Sequence, residues 1–173
     1  SDFLTGLDKT YEGILRLGMV TSSYDLEGEV LEERAVPPLT SQELSGIFAA
    51  FSGEIEQKPP MVSAVKVNGE RLYKRARRGE DVDRPLRHVT VYEFSLLSFD
   101  GRDAAFRLRC SSGTYARALC FDVGDRLGCG GTLAELRRLS VGKHAVGAAA
   151  SLGELDSIEA VRQRLIPVEE ALS

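Results

Sequence analysis

Apolar and polar residues alternate over residues 11–20, which predicts a strand, and a second strand is predicted over 28–36 after the turn signal Asp25-x-x-Gly28. Pro37-Pro38 ends that strand. Thr40-Ser41-Gln42-Glu43 then has the form of a capping box, so a helix starts there with Leu44, Ile47, Phe48 and Phe51 on one face and Gly53 closing it. Residues 57–85 carry Pro59-Pro60, Gly69 and Gly79, and Leu72, Tyr73 and Ala76 support at most two helical turns between them. A connection that long with so little regular structure is expected to be functional or disordered. A hairpin is predicted over 88–110 with Asp100-Gly101 at its turn; Phe106, Leu108 and Cys110 share one face of the return strand, and Arg107 and Arg109 the other. Ser111-Ser112-Gly113-Thr114 follows, then the helical stripe Ala116, Leu119, Val123 and Leu127, stopped by Gly128. A strand running through such a turn into a helix either gathers backbone amides beside an anion or is simply a well-capped helix. Leu133, Leu136 and Leu139 mark a short apolar face interrupted by Arg137-Arg138, a turn at Val141-Gly142 precedes a short strand around 143–146, and residues 157–165 read as a last helix. With no internal repeat, the pattern is that of an α+β chain with a mainly antiparallel sheet and flanking helices.

Composition narrows the class without naming it. The 173 residues, 43% hydrophobic and 28% charged, exclude a disordered chain and a cysteine-stapled mini-protein. No apolar run approaches the roughly 20 residues of a membrane span, and the first residues carry neither a basic leader nor an apolar segment, so a cytoplasmic protein is expected. Cys110, Cys120 and Cys129 follow no metal or redox spacing and read as reduced core thiols; neither His88 nor His144 has a partner at ligand spacing, so a dedicated metal site is not expected. The net charge of -4 hides an asymmetry. Between residues 25 and 56 eight acids face Arg34 alone, whereas between 66 and 87 eight cations face four acids, and Arg137, Arg138 and Lys143 form a second basic group. These runs are either solvated faces or a footprint for phosphates.

Several spaced motifs occur in order: Asp8-Lys9-Thr10-Tyr11, Leu17-Gly18-x-x-Thr21 with Asp25-x-x-Gly28, Gln57-x-Pro59-Pro60-x-x-Ser63-Ala64-x-Lys66-x-x-Gly69-x-x-Leu72-Tyr73-x-x-Ala76-Arg77-x-Gly79, Cys110-Ser111-Ser112-Gly113-Thr114-Tyr115-x-Arg117, Leu127-Gly128-Cys129-Gly130 and Leu136-Arg137-Arg138. Over roughly residues 8–152 this series resembles the TruB family of tRNA pseudouridine synthases. The resemblance implies a pseudouridine synthase fold and a cofactor-free, metal-free enzyme that detaches a T-loop uracil of tRNA from its ribose and reattaches it through carbon. It also implies an aspartate nucleophile in a Gly-x-Leu-Asp-Pro-like motif. Thr5-Gly6-Leu7-Asp8 is superficially similar, but Asp8 lacks the following proline and matches the acid that often precedes the Lys9 position. The nucleophile is therefore expected upstream of Ser1, which makes residues 1–173 a catalytic-domain fragment. The tail from Ile166 to Leu172 resembles the end of that domain, so a further C-terminal RNA-binding domain is not expected within the chain.

Carried over position by position, the resemblance assigns Arg117 to pairing with the catalytic aspartate, Tyr11 to stacking on the target base and proton transfer, and Leu136 to the base pocket, and Tyr115, two positions before Arg117 in the same turn, is counted with them as a catalytic candidate. For Leu136 and Tyr115 a reading as core residues also stays open. Residues 57–85 correspond to a thumb-like insertion whose Lys66, Arg71, Lys74, Arg77 and Arg78 would contact phosphates of the tRNA T arm, with Arg137 and Arg138 as a second shelf unless Arg137 is structural. Val62 and Gly131-Thr132 depart from the family's usual Tyr and Ala-His, which is expected to remove a stacking ring and to shrink the wall near Leu136. The expected protein is a monomer with no membrane contact. Two other readings stay open: a noncatalytic RNA-binding or tRNA-folding module, and a guide-RNA-dependent relative.

Overall fold

A computed structural model describes residues 2–63, 66–67, 70–71, 78 and 83–167. After a short helix α1 (Asp2–Thr5), strand β1 (Lys9–Leu17) runs through the middle of a six-stranded antiparallel sheet. Its neighbours are β8 (Asp103–Cys110) on one side and β9 (Gly131–Val141) on the other. Beyond β8 lie β7 (Arg87–Phe99) and then β4 (Gly53–Gln57); beyond β9 lies β10 (His144–Ala145). β2 (Met19–Thr21) and β3 (Val30–Glu33) form a separate ribbon, and β5 (Lys66–Val67) pairs with β6 (Glu70–Arg71) inside the long excursion. The α+β expectation holds, and so does the predicted hairpin, since β7 and β8 turn at Asp100, whose carboxylate accepts the amides of Arg102 and Asp103.

Two helices pack against the sheet and share its core. Helix α2 (Ser41–Ala49) starts with the predicted capping box: Thr40 Oγ1 accepts the Glu43 amide, and the Glu43 carboxylate accepts the Thr40 amide. Helix α3 (Ala116–Arg126) packs against β9, and α4 (Ile158–Arg164) is capped by Ser157. Under α2 the rings of Phe48 and Phe94 stack at 4.3 Å, and Phe94 meets Phe106 edge-on at 5.3 Å. Phe106 reaches across β1 because its register partner is Gly13, where a Cβ would sit 2.6 Å from the ring. Cys110, Cys120 and Cys129 are free and buried, as core thiols should be.

Three local expectations need correction. Helix α2 ends with Ala50 as its C-cap, and Gly53 opens β4 instead of closing the helix. The leucines of 133–139 lie on one long strand. The register pairs Leu133 with Leu15 and Leu136 with Gly13 and leaves one extra β9 residue between them, so a three-residue spacing returns to the same face through a bulge. The hydroxyls of the 111–114 turn do not cap α3: Thr114 Oγ1 donates to the Ser111 carbonyl and Ser111 Oγ accepts the Thr90 amide, while the N-cap, Tyr115, makes no side-chain capping bond.

The excursion leaves through β4 and returns through β7, which pair with each other, and Arg84 Nη1 donates to the Pro59 carbonyl at 3.0 Å across its base. Lys74 and Arg77, and the helical turns expected from Leu72, Tyr73 and Ala76, lie outside the described residues; of Lys66 and Arg71 only the backbone is described, and Arg78 is exposed. Among the described residues no helix is long and apolar enough to cross a membrane, and no group of three potential metal ligands converges.

Candidate active site

Four side chains singled out from the sequence converge on one cavity of about 260 Å³, lined by Tyr11, Asp25, Thr114, Tyr115, Ala116, Arg117, Leu133 and Leu136. That volume lies below the roughly 300 Å³ at which pockets for drug-sized ligands begin, so it suits a single ring. Three parts of the fold meet here. Tyr11 comes from the start of β1, Leu133 and Leu136 from the neighbouring β9, and Tyr115 and Arg117 from the first turn of α3.

The fourth part is the loop between β2 and β3, which supplies a residue absent from the sequence-derived set. Tyr24 adopts a left-handed φ of 65° with its ring stacked on Phe121 of α3 at 4.2 Å. Its carbonyl accepts the Leu133 amide at 2.9 Å, and Asp25 bridges to Leu133 in the parallel sense. An outlier backbone held from two sides in this way aims the next side chain, Asp25, into the cavity. Asp25 Oδ2 accepts from Arg117 Nη1 at 2.8 Å, while Oδ1 accepts from Ser23 Oγ and, at 3.2 Å, from the Glu27 amide. Both carboxylate oxygens are therefore engaged. The only signal in the sequence was Asp25-x-x-Gly28, and its turn reading is also correct: the Gly28 amide donates to the Asp25 carbonyl at 3.2 Å.

Arg117 spreads its guanidinium over two partners, Asp25 and the Val62 carbonyl, with the Tyr115 ring 6.0 Å away. Its side chain is 20% exposed and that of Asp25 21%, so the pair is far better shielded than a surface salt bridge. Where a stacking ring at position 62 was expected to be missed, the residue contributes through its backbone. Thr132 is fully buried and donates to the Met19 carbonyl at 2.9 Å, and Gly131 lies so close to α3 that a Cβ would sit 2.3 Å from the Cys120 carbonyl oxygen. Neither lines the cavity, so the expected effect on the wall near Leu136 does not arise from them.

The cavity's electrostatics favour a neutral phenol beside a fixed ion pair. Burial, aided by Cys110, raises the Tyr11 hydroxyl above its ordinary pKa, and Arg138 opposes the shift. The register explains that contact: Arg138 stands opposite Tyr11, whereas Arg137 stands opposite Glu12 and lines a different cavity with Glu12 and Glu135. The strand's alternation thus divides the two arginines between faces. Asp8 accepts from Tyr92 Oη at 3.2 Å, lies 3.9 Å from Arg109, and does not line the site cavity.

Comparison with known proteins places this geometry in a family. Residues 1–116 match the model described as TruB family pseudouridylate synthase (N terminal domain), and residues 117–173 match the tRNA pseudouridylate synthase B C-terminal domain. The chain is 46% identical over 173 residues to tRNA pseudouridine synthase B of Opitutus terrae, covering 99% of this chain and 72% of that protein. It is 41% identical over 172 residues to the Clostridium kluyveri protein of the same name, covering 99% of this chain and 59% of the relative. The fold superposes on a chain of a Cbf5-Nop10-Gar1 complex with a TM-score of 0.71 at 26% identity, over 98% of this chain and 44% of that one. An archaeal box H/ACA Nop10-Cbf5 complex gives 0.66 at 22% identity, over 99% of this chain and 43% of that one. The chain thus spans little more than half of several full-length relatives it matches, yet the matched models cover it from residue 1 to residue 173, and on that evidence it belongs to the TruB family of pseudouridine synthases.

Proposed function

We propose that the protein carrying this chain is a tRNA pseudouridine synthase that isomerises a T-loop uridine, acting in the cytoplasm as a monomer, with its nucleophilic aspartate supplied from outside residues 1–173. The observation that carries the reading is the convergence of Tyr11, Tyr115, Arg117 and Leu136 on one cavity although up to 125 positions separate them. The reaction breaks the bond from uracil N1 to the ribose, forms one from C5, and releases the C5 hydrogen. Tyr11, held as a neutral phenol, stacks on the extruded base, an interaction worth about 1–3 kcal/mol, and stands within the site to relay a proton. Arg117, steadied by Asp25, turns its remaining guanidinium edge toward an incoming carboxylate and keeps it ionised. Among the described residues Asp25 is the only carboxylate lining the cavity, and with both oxygens engaged it is a holder of Arg117 and not a free nucleophile. Attack on the base and elimination to a glycal are both compatible with this arrangement.

The thumb role of residues 57–85 follows from the same reading: the basic segment leaves and re-enters beside the site, where its cations would hold T-arm phosphates. Arg138 faces the Tyr11 side and would serve there as well, while Arg137, across the strand beside Glu12, would bind RNA only on the opposite face.

The test is release of tritium from C5-tritiated tRNA by residues 1–173 and by a form extended upstream, with no guide RNA or accessory protein. Release by the extended form alone is expected. Release by the short chain would place the nucleophile within it, with Asp8 the first candidate. Binding without release by either form favours the noncatalytic module, and release only with a guide RNA favours the guided relative.

A further inference from the structure

Helix α3 begins without a side-chain cap of its own, yet Tyr115, Ala116 and Arg117, which line the cavity, all sit at its start. What fixes that start comes from 58 residues away. Gln57, the last residue of β4, is 1% exposed, and its side-chain amide grips the backbone of Tyr115 on both sides: Oε1 accepts the Tyr115 amide at 2.7 Å and Nε2 donates to the Tyr115 carbonyl at 3.0 Å. The same carbonyl accepts the Ala118 and Leu119 amides at 3.1 and 3.3 Å, so the clamp is continuous with the first hydrogen bonds of the helix. Side-chain caps at a helix start normally come from Ser, Thr, Asp or Asn at the N-cap itself. Here a tyrosine occupies that place and the capping function is carried by a residue on the sheet.

We propose that Gln57 is a positioning residue for the isomerisation: by clamping the Tyr115 backbone it sets the direction of Tyr115 and Arg117 relative to Tyr11 across the cavity. The inference rests on the proposed function. A glutamine suits the task because its amide offers an acceptor and a donor at a fixed separation, matching the N–H and C=O of one residue. An aliphatic side chain would fill the space, leave the Tyr115 amide unpaired in a buried setting and leave the carbonyl to the Ala118 and Leu119 amides alone. Since Arg117 meets Asp25 through a directional hydrogen bond, a small rotation of the first turn of α3 would move the guanidinium off the carboxylate without removing any group that touches RNA.

The test uses the upstream-extended protein and three forms: wild type, Gln57→Leu and Gln57→Glu. Gln57→Leu is expected to lower the single-turnover rate of tritium release at least about tenfold, at a temperature where circular dichroism shows it folded, with tRNA affinity within about twofold of wild type. Gln57→Glu provides the rescue. As a protonated acid it donates to the Tyr115 carbonyl and accepts the amide, so its rate relative to wild type should rise as the pH is lowered from about 8 to about 6; ionised, it sets two acceptors against that carbonyl. A variant that only loosened the fold would not show that pH-dependent recovery. Should Gln57→Leu fail to fold, amide exchange in the wild-type protein decides the matter: the Tyr115 amide is expected to be protected, and exchange at open-loop rates would overturn the clamp. An active wild type whose Gln57→Leu form keeps its rate overturns this role alone, whereas an inactive wild type removes the proposed function and this role with it.

Discussion

Replacing Arg117 with lysine keeps one positive charge in the cavity and removes the fork that carries it. In the wild-type chain Nη1 holds Asp25 at 2.8 Å while Nη2 holds the Val62 carbonyl, two acceptors on different loops. An ammonium is a compact point charge and can satisfy one of them. The variant therefore loses one hydrogen bond involving a charged group, worth about 1.5–3 kcal/mol. If that bond fixes the geometry of the reacting carboxylate, the whole amount appears in the barrier; with tenfold in rate for each ~1.4 kcal/mol, turnover should fall about 10- to 150-fold. Affinity should change little, because the partners given up belong to the protein and the charge remains. Single-turnover tritium release from C5-tritiated tRNA gives the rate, and filter binding gives the affinity. Equal losses in both would remove Arg117 from the chemistry and make it an RNA contact. An unchanged rate would refute the claim that two-point holding of the guanidinium matters.

Two further outcomes test other parts of the structure. Alanine at Lys66, Arg71, Lys74, Arg77 or Arg78 should reduce the slope of log affinity against log salt by about 0.7–0.9 for each phosphate that the variant no longer neutralises, and unchanged slopes across several of these variants would end the thumb assignment. Burial, reinforced by Asp125, pushes the Asp122 carboxyl up to about 6, so the folded chain holds this proton more tightly than the unfolded chain does. The contribution to stability is then fully present below the ordinary aspartate range near 3.9 and is lost as the pH rises through about 6. Asp122→Asn should raise Tm at neutral pH by about 2–4 °C, a figure discounted for partial exposure, and the gain should vanish near pH 3; an equal gain at both pH values would mean that titration is not its source.

What the sequence disclosed and what it withheld divide along the range of the interactions involved. The capping box at Thr40 and Glu43, the Asp100 turn and the alternation of Phe106 with Arg107 are all settled within a few residues, and each appears where the pattern places it. Tyr11, Tyr115, Arg117 and Leu136 were legible through motif resemblance, and the cavity brings all four together. The extent of β9 was not legible, because bulges opposite β1 change the parity of its side chains and disguise a strand's period of two. Asp25 and Gln57 escaped for a different reason. Asp25 acts on a residue 92 positions away and Gln57 on one 58 away, and no local pattern encodes such partners. Asp25-x-x-Gly28 read as a turn and Gln57 as the start of the long excursion, and both stood in motifs of the resemblance, but those readings describe the backbone and leave out the work of the side chains.

The three cysteines carry a practical consequence. All are buried, and burial raises the Cys110 and Cys120 thiols, so these two are both shielded from reagents and held in the unreactive protonated form. The native chain therefore offers a quiet background for thiol chemistry. A cysteine introduced at an exposed position such as Arg78 or Arg107 would be the accessible thiol, ready to carry a fluorophore or a spin label without first stripping the core of its sulfur.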